Sequence, residues 1–218
     1  MRVGTDGVLL GAWCRVQDGG RMLDVGAGTG VIALMLAQRS EAAIDAVEIS
    51  EEACCDARLN FRNSPWNHRI RLSSADFKQF CEVEPQRYDL VVCNPPFFAK
   101  SMHSADLAAS VARHDVSLSF GQLICGTKKI LTNSGRLAVI IPADAFDDFR
   151  ETARFCGFYL SRKTVVIPKV DKAPKRVLLE FSVSATYPET DELVILGSNG
   201  QYTEAYKELT EAFYLNSN

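Results

Sequence analysis

Four short stretches of this chain put ligand-binding or reactive residue types where an apolar run ends. In the first, Leu23-Asp24-Val25 runs into Gly26-Ala27-Gly28-Thr29-Gly30. Glycines let a backbone turn sharply and let a ligand come close to it. The spacing is GxGxG, with Val31 where a dinucleotide fingerprint carries its third glycine, and it lacks the lysine of a Walker loop. Asp24 is an unusual charge at the end of a strand, and three alternate glycines after it argue against a merely structural turn. In the second stretch, Glu48 closes the run Ala42–Val47, 18 positions beyond Gly30. An acid there can accept both hydroxyls of a ribose, with Ile49 beside it; it can also be the solvated start of a helix capped by Ser50. In the third, Ser74-Ala75-Asp76-Phe77, Asp76 can accept from an adenine amino group with Phe77 against the ring, or it can cap a helix. The fourth is Val91-Val92-Cys93-Asn94-Pro95-Pro96-Phe97. Proline has no N–H for a ladder, so the strand must stop at this corner. The purpose of a rigid, aromatic, partly polar corner depends on what shares its edge of the sheet.

The elements that position these stretches alternate. Strands are expected near 21–25, 43–48, 70–73, 88–93 and 136–141, and helices near 31–39, 51–61, 77–83, 119–131 and 143–156. Asn133-Ser134-Gly135 is expected to close the fourth helix through a left-handed glycine, and Gly157 the fifth. This alternation implies βαβ units, a doubly wound sheet and one α/β domain over 1–218, with a core of about 3–184 and an extension of about 185–218. The continuous apolar strands LVVC and LAVII suit a sheet covered on both faces. Two strands, near 158–167 and 176–184, have no helix between them and read as an antiparallel pair, and 202–215 as a terminal amphipathic helix. Ligands of such sheets bind outside the carboxyl ends of the strands, where all four stretches fall.

The totals narrow the partners. The chain has 218 residues, 47% apolar and 23% charged, with a net charge of −3. It is therefore large enough to fold without staples and is not basic over its whole surface. The 7 cysteines show no CxxC and no zinc-ligand spacing, so no metal site is expected and a reducing, cytoplasmic compartment is. No apolar run is long enough to span a membrane, and no signal peptide opens the chain. The opening Met1-Arg2-Val3-Gly4-Thr5-Asp6-Gly7 enters working sequence at once, which suggests a truncated start. A monomer is expected.

Taken together, the glycine turn, Glu48, Asp76 and Asn94 resemble the Rossmann-like S-adenosylmethionine-dependent methyltransferases over about residues 3–184. The resemblance implies a seven-stranded, mostly parallel sheet of order 3-2-1-4-5-7-6, with helices on both faces and the final hairpin supplying the antiparallel strand. It also implies a role for the corner Asn94-Pro95-Pro96-Phe97 in methylating a nitrogen conjugated to a ring or carbonyl. The lone pair of such a nitrogen is delocalised. The Asn94 side-chain oxygen and the Pro95 carbonyl can each accept an amino hydrogen and free it for in-line attack, while Phe97 offers a stacking face. No shifted acid or base is needed.

Adenine N6, guanine N2 and a glutamine amide all suit such a corner. The flanks are more specific. Arg2–Trp13 resembles the KVGTDGVLLGAW segment of the bacterial family that methylates adenine N6 at position 37 of valine tRNA; Ala112-Arg113-His114-Asp115 and Lys175-Arg176-Val177-Leu178-Leu179-Glu180 resemble it too. The likeness implies tRNA as partner and Arg113 as a phosphate contact, beside a 101–112 loop that could close over a base. Thr5 is expected to cap a helix over the cofactor pocket, with its hydroxyl or Asp6 also touching the methionine part, or else to serve as a cap alone. Arg162, Lys163, Lys169, Lys172, Lys175 and Arg176 make a local basic patch against the single acid Asp171, which suits phosphate contacts as well as it suits a solvated loop. Lys169, Lys172, Lys175 and Arg176 are the expected RNA contacts there.

Overall fold

The computed structural model describes residues 4–95 and 118–214. Pro96, Phe97, Arg113 and the 101–112 loop lie outside the described residues. Helix α1 (Thr5–Trp13) comes first. Strands β1 (Arg21–Val25), β2 (Ala43–Glu48), β3 (Ile70–Ser74), β4 (Tyr88–Cys93) and β5 (Leu131–Pro142) then alternate with α2 (Val31–Arg39), α3 (Glu51–Arg62), α4 (Phe77–Val83) and α5 (Phe120–Ile130). After α6 (Phe146–Phe155) come β6 (Tyr159–Lys169), β7 (Arg176–Ser182), β8 (Glu189–Leu196) and α7 (Glu204–Thr210).

The strands form one sheet in the order β3-β2-β1-β4-β5-β7-β6-β8. β1 to β5 are mutually parallel, β7 is antiparallel to both its neighbours, and β8 lies parallel to β6. Among the described residues the sheet therefore has eight strands rather than the expected seven, and the additional one comes from the tail beyond residue 185. Sequence pattern missed it because its first half, Glu189-Thr190-Asp191-Glu192, is acidic and exposed; only Leu193 is buried. A charged outer strand of this kind discourages further pairing at the edge.

Side chains alternate across the sheet, and both faces are covered. Met22, Ile44, Leu90, Val92, Ala138 and Ile140 pack under α1, α2 and α3, with Tyr206 of α7. Leu23, Val47, Val91, Cys93, Leu137 and Val139 pack under α4, α5 and α6. Two buried faces on a strand of period two favour apolar residues at successive positions, which is why β4 and β5 carry unbroken apolar runs, while Asp24 and Asp45 are buried exceptions on β1 and β2.

Two chain reversals depend on glycine for different reasons. Gly157 ends α6 at φ 77°, with its N–H on the Arg154 carbonyl and the Phe158 N–H on that of Ala153, the left-handed cap expected there. Gly135 is not such a cap. α5 passes straight into β5 at Leu131, and a Cβ on Gly135 would sit 2.7 Å from the Tyr88 carbonyl oxygen, so glycine is needed there for close approach. At its other end α5 begins with a reciprocal capping box between Ser119 and Gln122. The terminal helix is shorter than the 202–215 expected, running from the Thr203 cap through α7 into a single 3-10 turn, Glu211–Phe213. No helix among the described residues is long and apolar enough to cross a membrane.

Helix α1 lies along α2 with the two N-termini at the same end. A Cβ on Gly7 would touch Val31, and one on Gly11 would press on Met35, so two glycines four apart let the helices approach closely. Arg39 Nη1 donates to the Gly11 and Cys14 carbonyls at 2.6 and 2.9 Å, satisfying the end of α1. Trp13 Nε1 donates to Thr164 Oγ1 at 2.7 Å under the Arg162 guanidinium, which stacks on the indole at 4.3 Å.

Candidate active site

The four sequence stretches converge because their strands end in register. Val25 pairs with Val47 on one side and Cys93 on the other, and Glu48 pairs with Ser74. The next residues of four adjacent strands are therefore the glycine turn, the Glu48 carboxylate, Ala75-Asp76 and Asn94. Gly26 N donates back to the Val47 carbonyl at 2.9 Å, and Ala75 N to that of Glu48 at 3.0 Å, which knits three of the exits together.

Gly26, Gly28 and Gly30 all have left-handed backbones, at φ 69°, 56° and 82°. A side chain is strained at each of these positions. At Gly26 a Cβ would meet open space; at Gly30 it would strike the Phe61 ring. The turn thus leaves room on its outer side and is packed shut on its inner side. Gly28 N donates to Glu48 Oε2 at 2.8 Å, while Ile49 N and Ser50 N donate to Oε1 at 2.9 and 2.8 Å. The carboxylate is 9% exposed and spans the gap between two strand exits. Three of its roughly four acceptor positions are filled by amides, so it is held in place with capacity to spare. Ile49, 46% exposed beside it, offers an apolar face.

Beneath the turn, Asp24 is fully buried. Its Oδ2 accepts from Ala33 N at 3.0 Å, but its Oδ1 has no hydrogen-bond partner among the described residues. Burial, aided by the nearby Glu48 charge, raises its pKa from 3.8 to about 7, against the pull of the Ala33 amide. Asp24 and Glu48 also push the Cys93 thiol further up, above what burial alone does. Two buried acids side by side favour any cation that enters. Asn94 repeats the pattern: its Oδ1 is buried and without a partner among the described residues. An unfilled buried acceptor costs about 1–3 kcal/mol, so two at one strand edge mark a place organised for something else to bind.

A family model, the methyltransferase small domain, matches residues 6–146. The tRNA1(Val) (adenine(37)-N6)-methyltransferase of Bacteroides fragilis is 41% identical over 216 residues, 99% of this chain and 91% of that protein. The protein of the same description from Cronobacter sakazakii is 42% identical over 217 residues, 99% and 89% of the two chains. The chain belongs to this methyltransferase family. Its fold is similar to that of a predicted O-methyltransferase from Agrobacterium tumefaciens, at 19% identity and a TM-score of 0.74 over 95% of this chain and 96% of the other.

The structure of this methyltransferase corrects Phe77 as a ligand contact and Thr5 as a helix cap, and gives Arg176 a partner. Phe77 is 5% exposed and lies in the core; a Cβ on Gly126 of α5 would come within 2.7 Å of its ring. The ring expected against a ligand is the packing contact between α4 and α5. Thr5 does not cap α1: the cap position is Gly4, with no side-chain cap bond, and Thr5 is the exposed first residue of the helix. Arg176, expected on RNA, donates from Nε to Asp6 Oδ2 at 2.8 Å and remains partly exposed. Asp76 does cap α4, with Oδ1 accepting from Lys78 N and Gln79 N, and it stays partly exposed.

The basic patch also divides. Arg162 stacks on Trp13 and Lys163 lies over the Phe146 ring at 3.9 Å, so both serve packing. Lys169 ends β6, and Lys172 and Lys175 stand exposed in the turn to β7, which is bent by Asp171 at φ 63°. Because β6 is parallel to β4, this turn lies on the same edge of the sheet as Asn94. It is three strand spacings away, roughly 14 Å. The sequence reading missed Asp6 as a partner for Arg176; nothing local could signal a contact between residues 170 positions apart. It also passed over Asp45, whose position in the middle of an apolar strand was a usable sign.

Proposed function

We propose that this methyltransferase moves the methyl group of S-adenosylmethionine to N6 of an adenine in tRNA, adenosine 37 of valine tRNA. The observation that carries the reading is Asn94 Oδ1, a buried acceptor without a partner beside the glycine turn. An amino group donating to it has its nitrogen fixed at the strand edge. A second hydrogen on the Pro95 carbonyl draws that nitrogen out of conjugation, so its lone pair can attack. S-adenosylmethionine, when bound, would supply an electrophilic sulfonium methyl, with the thioether as leaving group, to the nitrogen that Asn94 and Pro95 hold. The nitrogen then releases a proton to solvent.

The cofactor fits the residues present. Gly26, Ala27, Gly28 and Gly30 form a turn open on its outer side, and Glu48 offers a carboxylate to ribose hydroxyls, the second in exchange with an amide. Ile49 and Asp76 flank the adenine position, Thr5 lies at the start of the helix alongside, and Asp24 favours positive charge. Lys169, Lys172 and Lys175 take the phosphates flanking the target base, with Arg113 a further contact. Reaching a stacked adenine requires splaying it out, as single-stranded bases permit. The test is nucleoside mass spectrometry after incubation with deuterated-methyl S-adenosylmethionine and unmodified valine tRNA. Labelled N6-methyladenosine, lost when adenosine 37 is replaced by guanosine, is the expected result. In parallel incubations with ribosomal RNA and a release factor, label appearing only in rRNA guanine or in a release-factor glutamine would overturn the substrate.

A further inference from the structure

Among the described residues, one ion pair ties α1 to the far half of the sheet, joining Asp6 in its first turn to Arg176 at the start of β7. Gly7 of α1 packs on Val31, the residue that follows Gly30, so the first turn of α1 is the direct neighbour of the glycine turn. The C-terminal end of α1 is secured by Arg39 and by the Trp13–Thr164 hydrogen bond. Its N-terminal end begins at Gly4 without a side-chain cap, and a glycine there leaves that first turn conformationally loose. What holds it is Asp6, whose Oδ2 accepts from Arg176 Nε at 2.8 Å, with both side chains partly buried. Arg176 is itself delivered by rigid structure: it opens β7 in register with Pro142 of β5, and its Nη1 donates to the Lys175 carbonyl.

We propose that Asp6 and Arg176 are positioning residues for the methyl donor, the ion pair setting where the first turn of α1 sits beside the glycine turn. The inference rests on reading that turn as the S-adenosylmethionine site. It assigns Arg176 to the cofactor side of the reaction and leaves RNA phosphates to the exposed lysines next to it.

The test uses the full chain with Asp6→Asn, Arg176→Gln and both together. Each single change weakens S-adenosylmethionine binding in calorimetry by about five-fold, the size of a partly exposed ion pair. The same change raises KM for S-adenosylmethionine while kcat at saturation stays within about two-fold, and the double variant is no weaker than either single one. Valine tRNA retention on filters is unchanged. Loss of tRNA retention by Arg176→Gln with unaltered cofactor affinity would overturn the proposal, as would additive losses in the double variant. So would variants that lower the melting temperature and leave the KM for S-adenosylmethionine at the wild-type value. If the unsubstituted chain failed to bind S-adenosylmethionine, the reading of the pocket would fall and this inference with it. Binding by the unsubstituted chain and all variants alike would sink this inference alone.

Discussion

Asp24 and Asp45 are buried carboxylates on adjacent strands, 0% and 1% exposed, and their surroundings could hardly differ more. Asp45 lies toward the amino ends of the strands. It accepts from Arg21 at 2.9 Å, from Arg71 at 2.8 and 3.2 Å and from the Tyr88 hydroxyl at 2.7 Å, and Arg71 reaches on to Glu84. Asp24 lies toward the carboxyl ends, with one backbone amide, an empty oxygen and another acid nearby. A buried charge with a filled shell holds a fold together; one left half empty is stabilised only when something arrives. The same chemical group, one register step apart on paired strands and on opposite faces of the sheet, thus has a filled shell of partners in one place and a half-empty one in the other.

Asn94 is the sharpest way to break that comparison, because it shares the empty shell without the charge. Asn94→Ala should lower single-turnover methyl transfer by about 10³-fold, the upper range for losing one preorganised polar group. It should also leave the melting temperature and calorimetric S-adenosylmethionine binding close to wild type. A large loss of stability instead would make Asn94 a structural residue like Asp45. Asp45→Ala is the converse. Leaving the buried Tyr88 hydroxyl without its acceptor, and Arg21 and Arg71 without their shared carboxylate, should cost about 1–3 kcal/mol in urea unfolding, while the KM for S-adenosylmethionine of the folded fraction holds.

Asp24→Asn sharpens the comparison through pH. The folded chain keeps a proton on Asp24 up to about pH 7, which the unfolded chain releases near its ordinary value of 3.8. Between those values the folded state binds more protons, so this carboxyl makes stability fall as pH rises and adds no further change above pH 7. Melting curves of Asp24→Asn and wild type should therefore converge near pH 4 and separate toward pH 8, the variant being more stable by up to roughly 4 kcal/mol. The variant should nonetheless bind S-adenosylmethionine more weakly. In wild type a cation beside Asp24 favours its ionised form, so binding near pH 7 should release a proton, seen as a buffer-dependent heat in calorimetry; Asp24→Asn should abolish that dependence.

The smallest effect extends the comparison to the cations. Arg21, Arg71 and Arg176 have acids at hydrogen-bond distance, whereas Lys172 and Lys175 stand exposed without an ion pair among the described residues. Lys172→Glu with Lys175→Glu should weaken valine tRNA retention by about ten-fold at moderate salt, less in more salt, and leave S-adenosylmethionine binding intact. Equal loss of both ligands would mean the hairpin matters for folding rather than for phosphates.

Much of this molecule was legible from residue order alone, wherever the deciding interactions are local. Three alternate glycines force a left-handed turn, two prolines end β4, Ser119-x-x-Gln122 starts a helix and Gly157 stops one. Apolar runs of strand length betray a sheet covered twice. Glu48 and Asn94 could be placed because a parallel strand's last residue must open onto the carboxyl edge. The tertiary structure decided what depends on distant partners. Phe77 turned inward because Gly126 made room for it, Gly135 proved to be a close approach to Tyr88, and an acidic tail segment became a strand because β6 had an open side. Arg176 was drawn to Asp6, and Asp24 came to hold its proton because of the layers above and below it. Local backbone chemistry is written in neighbouring residues; desolvation and pairing are set by what folding brings within a few ångströms.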